Sequence, residues 1–189
     1  IDKMLAGANL TLAQIKAEGG IHIQPGKDPY GVSEDLVVQF KNDELEENGY
    51  PAIPTYIPVE RPPQGFQRLI YGRSPVHTFN RTQNNAWLMA AQSENPVWVN
   101  DKLAARLGLK EGDRVSLTNQ DGIKSRTTTT VKVTPGIRED CVYMHHGFGS
   151  MNPELTVGCN KGVDDQSLIT KIAVDPETGA HGMRNNFVK

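Results

Sequence analysis

The 189-residue chain has only two cysteines, Cys141 and Cys159, and they are not arranged as a CxxC pair. That spacing argues against a zinc ribbon or an iron–sulfur cluster held by this chain alone, and leaves buried free thiols as the default. No apolar run approaches the roughly 18 residues that a membrane-crossing helix needs, so direct membrane insertion is not expected. Aromatic residues make up 6% of the chain and the formal net charge is −2. No global positive field therefore draws in nucleic acid, and any anion binding has to be built locally. The first twenty residues lack the basic-then-apolar order of a secretory leader, and the chain opens on Ile1; the expectation is a piece of something longer. What is abundant is glycine, with 18 residues, and proline, with 12. That is the composition of a loop-rich protein with many turns and short strands.

In chain order, Thr11 reads as the N-cap of a short helix with Leu12, Ile15 and Ala17 on one side, stopped by Gly19 and Gly20. Residues 21–23 suit a brief strand, 25–31 a turn and 35–41 a strand. Residues 42–48 read as an acidic helix capped by Asn42, its charge run a solvated face. Residues 50–64 hold five prolines in fifteen positions and form an extended connector, because proline removes a backbone donor and restricts its predecessor. Beyond it come a helix over 86–92, a strand over 96–100 and a helix over 101–107 capped by Asn100 and closed by Gly108. A strand over 114–119, a turn at Asp121–Gly122, a return strand over 123–133 and a strand over 141–145 follow. Polar loop then dominates, interrupted by a short apolar piece over 168–174. Short strands with turns about every 8–12 residues predict a β-barrel with few helices.

The chain is organised around residues 68–85, RLIYGRSPVHTFNRTQNN. An apolar strand ends on Gly72 and releases Arg73, Ser74, His77, Thr78, Arg81, Thr82, Asn84 and Asn85. Those residue types suit an anionic, hydrogen-bond-rich ligand: glycine permits close approach, arginine binds phosphate bidentately, and hydroxyls and amides fill the remaining sites. The competing reading is an ordinary surface loop, with Arg81 paired to a surface carboxylate. Two further features stand out. His145 and His146 are adjacent on a strand, so they face opposite sides; one is expected to pack and the other to face a crevice. Asp164 and Asp165 suit either the N–H edge of a guanine or the cap of the next short element, and the cap is preferred.

Four segments in order carry a family resemblance: LIYGRSPVHTFNRTQNN, NPVWVNDKLAARLGLKEGDRVSLTNQDG, VTPGIREDCVYMHHGFG and DPETGAHGMRNNFVK. Together they resemble the C-terminal domain of molybdopterin oxidoreductases of the dimethyl sulfoxide reductase family, and within it the catalytic subunits of thiosulfate and polysulfide reductases. The resemblance implies a mainly β fold, a double-psi six-stranded β-barrel over 66–189, with 1–65 as an irregular extension from the enzyme body. It implies a bis(molybdopterin guanine dinucleotide) cofactor with molybdenum, shared with other domains, and an iron–sulfur cluster in the N-terminal part. Site residues carried over are Gly72, Arg73, Ser74, His77, Thr78, Arg81, Thr82, Asn84, His146, Gly147, Asn160, Asn185, Asn186 and Phe187. Among these, His77 is expected to donate to the pterin side, while Asn160 and Asn185 meet its mixed donor–acceptor edge.

No catalytic or metal-ligating residue is expected in this stretch, so the fragment alone should be inactive. The resemblance further implies an iron–sulfur electron-transfer subunit, a membrane anchor subunit and a periplasmic location. The whole would reduce an inorganic sulfur compound by two electrons. Two alternatives compete: a stand-alone nucleotide- or protein-binding barrel, and a small hydrolase using His77 or His146. The hydrolase is disfavoured because no GxSxG elbow is present.

Overall fold

The computed structural model describes residues 1–20, 40–53, 55–56, 58–175, 179–183 and 185–189. The chain divides into two compact units, Ile1–Ile57 and Pro58–Lys189. The described part of the first unit is helical. A short helix, α1 (Asp2–Leu5), absent from the sequence reading, leads through one turn of 3-10 helix into α2 (Leu12–Glu18). Thr11 caps α2 as expected, and Gln14 completes a reciprocal capping box. The acidic helix α3 (Asp43–Glu47) is capped by the Asn42 side chain. The strand expected over 21–23, the turn over 25–31 and all but the last two residues of the strand over 35–41 lie outside the described residues.

The second unit is mainly β, as expected. β1 (Gln67–Gly72) is followed by α4 (Ala86–Ala91), β2 (Val97–Val99) and α5 (Asp101–Leu107). Then come β3 (Arg114–Val115), β4 (Thr129–Val133), β5 (Cys141–His145), the small pair β6 (Ala173–Val174) and β7 (His181–Gly182), and β8 (Phe187–Val188). Six strands form a curled sheet in the order β3-β4-β2-β5-β1-β8. β1 is parallel to β5 and β2 to β4; the other neighbours are antiparallel.

The edges of the curled sheet meet. Beyond β3 the chain runs on to Thr118, whose N–H and carbonyl both bond Lys189 at 3.0 and 2.9 Å, and Asn119 bridges to Val188. This closure removes both free edges and makes the six-stranded barrel that the sequence led us to expect. Inside lie Leu69, Val97, Val99, Leu117, Val131, Val142, Met144 and Val188, together with Leu103 and Ala104 from α5. Asn100 aims α5: its Oδ1 accepts from the Lys102 and Leu103 N–H groups, and its Nδ2 donates to the Ile137 carbonyl at 2.7 Å.

Two strands are shorter than their residues suggested. The expected strand over 114–119 is regular only at Arg114 and Val115, and the return strand begins at Thr129 rather than 123. Ser125 is the reason. Its Oγ takes the Leu117 N–H at 3.0 Å, so a side chain stands where the partner strand's carbonyl would be and the ladder opens. The released segment carries Arg126 outward.

Candidate functional site

β1 and β5 run parallel and end level, with Gly72 opposite His145, so the segments leaving them start side by side. The His146 N–H still reaches the Gly72 carbonyl at 2.9 Å before the two chains diverge. The segment after β1 folds back on itself. Ser74 Oγ accepts from the N–H groups of Val76 and His77 and donates to Gln92 Oε1 at 2.7 Å. The buried His77 ring spans the turn, Nε2 on the Gln92 carbonyl at 2.9 Å and Nδ1 on Thr82 Oγ1 at 3.1 Å. Thr82 Oγ1 also accepts the Thr78 N–H. This inner network holds residues 79–81 at the rim, where the Arg73 guanidinium lies over the Phe79 ring at 5.3 Å.

The segment after β5 depends on two glycines in the left-handed region, Gly147 at φ 95° and Gly149 at φ 78°. A Cβ on Gly147 would sit 2.5 Å from the Phe79 carbonyl carbon, and one on Gly149 would sit 2.6 Å from that of Val163. Only hydrogen fits at either point, so the 146–151 loop lies flush between the loops at 79–81 and 163–166.

The three loops, with Arg126 from the opened hairpin, enclose a crevice of about 530 Å³ lined by residues 79–81, 126, 146–151, 164 and 166. Two guanidinium groups line it. Neither Arg81 nor Arg126 forms an ion pair within 4 Å among the described residues; Arg126 has a weak contact to Met151 Sδ at 4.0 Å, and its charge acts at longer range on Asp164. Asp164 is the acidic counterweight. Burial pushes its carboxyl above the ordinary aspartate range, partly offset by the Gln166 N–H that its Oδ1 accepts at 3.0 Å. His146 completes the wall, with Nδ1 on Asp165 Oδ2 at 2.8 Å and its ring packed between Tyr71 and Phe79.

Of the residues expected to meet a ligand, Arg81, His146 and Gly147 line the crevice. The others are placed elsewhere. Gly72 does not line the crevice; it leaves room for the Tyr143 ring, whose hydroxyl would lie 2.8 Å from an added Cβ, so packing alone requires a glycine here. Ser74, His77, Thr78 and Thr82 form the inner network, and His77 has both ring nitrogens bonded there instead of a donor aimed at a pterin. Arg73 is exposed over Phe79. Asn84 Oδ1 accepts from the Val157 and Gly158 N–H groups and pins the far loop. Asn160, in the left-handed region at φ 58°, donates its N–H to the Ser150 carbonyl and braces the crevice wall from behind.

Asn185, Asn186 and Phe187 do not line the crevice. Phe187 is buried opposite Arg68, near the start of β1, whereas the crevice opens where β1 ends. Asn186 is buried with every side-chain valence spent inside the fold, and Asn185 does not line the crevice.

The structure adds Arg126, Asp164 and the Phe148–Met151 turn to the site. Arg126 is hidden in a threonine-rich run that reads as strand; the only signal is that serine at 125 offers the ladder a side-chain oxygen. The preference for Asp164 as a cap holds, but the same side chain also faces the crevice. Asp165 stands at the cap position of the 3-10 turn Gln166–Leu168 without capping it, because its carboxylate is turned to His146. The histidine pair divides as expected. His145 packs against Trp98 and Tyr143 with Nδ1 on Gln92 Nε2 at 2.8 Å, while His146 faces the crevice. Both cysteines are free thiols.

A curled six-stranded sheet with a cationic, glycine-lined crevice beyond two parallel strands describes a domain that holds a large anionic ligand. Comparison with known proteins gives that class a family. Residues 68–186 match the molydopterin (molybdopterin) dinucleotide binding domain, and the chain belongs to this family. Over 103 residues it is 32% identical to the thiosulfate reductase molybdopterin-containing subunit PhsA of Salmonella typhimurium, a stretch covering 54% of this chain and 13% of that protein. Its fold is similar to that of acetylene hydratase from Pelobacter acetylenicus, at a TM-score of 0.63 and 16% identity, over 98% of this chain and 28% of that one. The chain thus spans a small part of either relative.

The residues present fit such a cofactor. Two guanidiniums outside any ion pair among the described residues match diphosphate, the two glycines let the 146–151 loop pack flush against its neighbours and so set the crevice wall, and Asp164 offers an acceptor to ring N–H groups.

Proposed function

We propose that this chain is the C-terminal cofactor-holding part of a larger molybdenum oxidoreductase, with residues 66–189 as the binding domain and 1–65 as the extension from the body of the enzyme. In this reading the domain covers one side of a bis(molybdopterin guanine dinucleotide) cofactor shared with the other domains. Bound molybdenum would supply the two-electron redox step, and this chain would supply position and charge. Arg81 and Arg126 neutralise phosphate, and Asp164 and His146 meet ring nitrogens. The Phe79 and Phe148 rings exclude water from the wall. Ser74, His77, Thr78, Thr82 and Asn84 act one layer back, holding the rim in shape.

The parent enzyme is proposed to reduce an inorganic sulfur compound, thiosulfate or polysulfide. It would use an iron–sulfur cluster in its N-terminal part, an iron–sulfur electron-transfer subunit, a membrane anchor subunit and a periplasmic location. The similarity to the thiosulfate reductase subunit supports the choice of substrate. The observation that carries the cofactor reading is the pair of arginines that form no ion pair within 4 Å among the described residues, facing one crevice whose wall is set by Gly147 and Gly149.

Metal and nucleotide analysis of the purified parent protein tests this. Molybdenum with two guanine nucleotides released per chain is the expected result; no molybdenum, or adenine or cytosine nucleotides, would overturn it. Reduction of thiosulfate or polysulfide by reduced dye, lost on exchange of the metal, tests the substrate.

A further inference from the structure

Asp165 is fully buried, yet it does not cap the 3-10 turn at whose start it stands, and among the described residues it meets no arginine or lysine. Three donors converge on its carboxylate instead: His146 Nδ1 at 2.8 Å, Gln166 Nε2 at 3.4 Å and the Gly147 N–H at 3.5 Å. A carboxylate ringed by donors acts as an acceptor, so the proton shared with His146 sits on Nδ1. That fixes the other ring nitrogen. Nε2 has no partner among the described residues, and His146 lines the crevice with its side chain 23% exposed. In the neutral imidazole, with Nδ1 carrying the proton, Nε2 presents a bare lone pair to whatever occupies the crevice.

We propose that Asp165 is a positioning residue that locks His146 in the Nδ1–H tautomer, and that His146 Nε2 thereby accepts a hydrogen bond from a ring N–H of the bound heterocycle. This rests on the cofactor reading above and assigns one polarity to one atom of that site. The division of labour follows from the chemistry of the wall. The guanidiniums can only donate, which suits phosphate oxygens; a heterocycle edge rich in N–H groups needs acceptors, and His146 Nε2 and the Asp164 carboxyl supply them. The Tyr71 and Phe79 rings, 5.6 and 5.3 Å from the imidazole centre, stop it from swinging away. An amide at 165 would offer an N–H to Nδ1 and drive the proton to Nε2, turning the acceptor into a donor without removing the ring.

Long-range ¹H–¹⁵N correlation spectra of the 189-residue chain read the tautomer directly. In the unsubstituted protein at pH 8, His146 is expected as the Nδ1–H form, and in Asp165→Asn as the Nε2–H form. An Nε2–H form in the unsubstituted protein, a measurement that needs no variant to fold, overturns the proposal. The ligand half is read by titration with two probes. Pyrophosphate has no ring N–H, and its affinity is expected to be unchanged by Asp165→Asn; that of GDP is expected to fall about tenfold, the cost of one misdirected buried hydrogen bond. Equal losses for both probes, or none for GDP, overturn the ring-acceptor role. If neither probe binds the unsubstituted chain, the cofactor reading and the acceptor role fail together, while the tautomer result still decides whether Asp165 sets the proton.

Discussion

Two regions of the barrel domain are built from polar side chains and use them in opposite ways. At the closing seam, Asn119, Gln120 and Asn186 direct their side chains inward onto the backbone. Asn186 Oδ1 accepts from Thr170 N, Lys171 N and Gln120 Nε2, and its Nδ2 donates to the Lys171 and Met183 carbonyls. At the crevice rim, Arg81, Arg126, Asp164 and His146 keep polar atoms without hydrogen-bond partners among the described residues. The seam is a zipper made of side-chain amides, whereas the rim holds its valences in reserve. What sets the two apart functionally is the count of internal partners.

The largest expected effect lies at the seam. Asn186→Ala leaves the Thr170 and Lys171 N–H groups and two carbonyls without partners and removes the side-chain tie to Gln120 Nε2, while the backbone bonds of the seam remain. A loss of roughly 3–4 kcal/mol is expected in urea unfolding. A loss below about 1 kcal/mol would show that the seam contributes little to closure.

Gly149→Ala is expected to rank second, at about 2–3 kcal/mol, because it combines a left-handed backbone with overlap against Val163 and Asp164. Unlike the seam variant, it should also abolish pyrophosphate binding in the fraction that stays folded, since the crevice wall moves. Isothermal titration at a temperature where the variant remains native separates the two effects.

Arg81→Ala and Arg126→Ala invert the pattern. Each is expected to weaken pyrophosphate binding about tenfold, or about 1.4 kcal/mol, while stability stays within about 0.5 kcal/mol. Added salt should shrink the difference from the unsubstituted chain. A stability loss equal to the affinity loss would mean that these guanidiniums are structural after all, like the seam amides.

The contrast also explains what could be read from the sequence. The caps at Thr11, Asn42 and Asn100, the helix over 101–107 and the strand over 141–145 were legible because each depends on neighbours in the chain. The crevice was half legible. Arg81, His146 and Gly147 were anticipated, but Arg126 was hidden in an apparent strand that Ser125 interrupts through a contact eight residues away. His77, Asn84 and Asn186 carry in the sequence the same chemistry as the residues that line the crevice. Only the fold shows that their partners are Thr82 and Gln92, Val157 and Gly158, or Thr170 and Lys171.

The smallest effect tests the two-sided strand from which the site grows. His145 turns inward from His146; burial, then the nearby Lys132 charge, holds its imidazole below the ordinary histidine range. Gln92 Nε2 donating to Nδ1 also suits a neutral ring. Above about pH 6.5 both folded and unfolded states carry a neutral ring and the stability is fully present. As pH falls through that value the unfolded chain takes up a proton that the folded ring resists, so stability drops until the depressed folded value is passed. His145→Gln keeps a hydrogen-bonding side chain and removes the titration. The difference in urea midpoint between pH 7.5 and 5.5 should therefore be smaller in the variant than in the unsubstituted chain. If the two differences are equal, His145 is not held neutral by packing, and the alternation that sends His146 into the crevice loses its counterpart on the inner face.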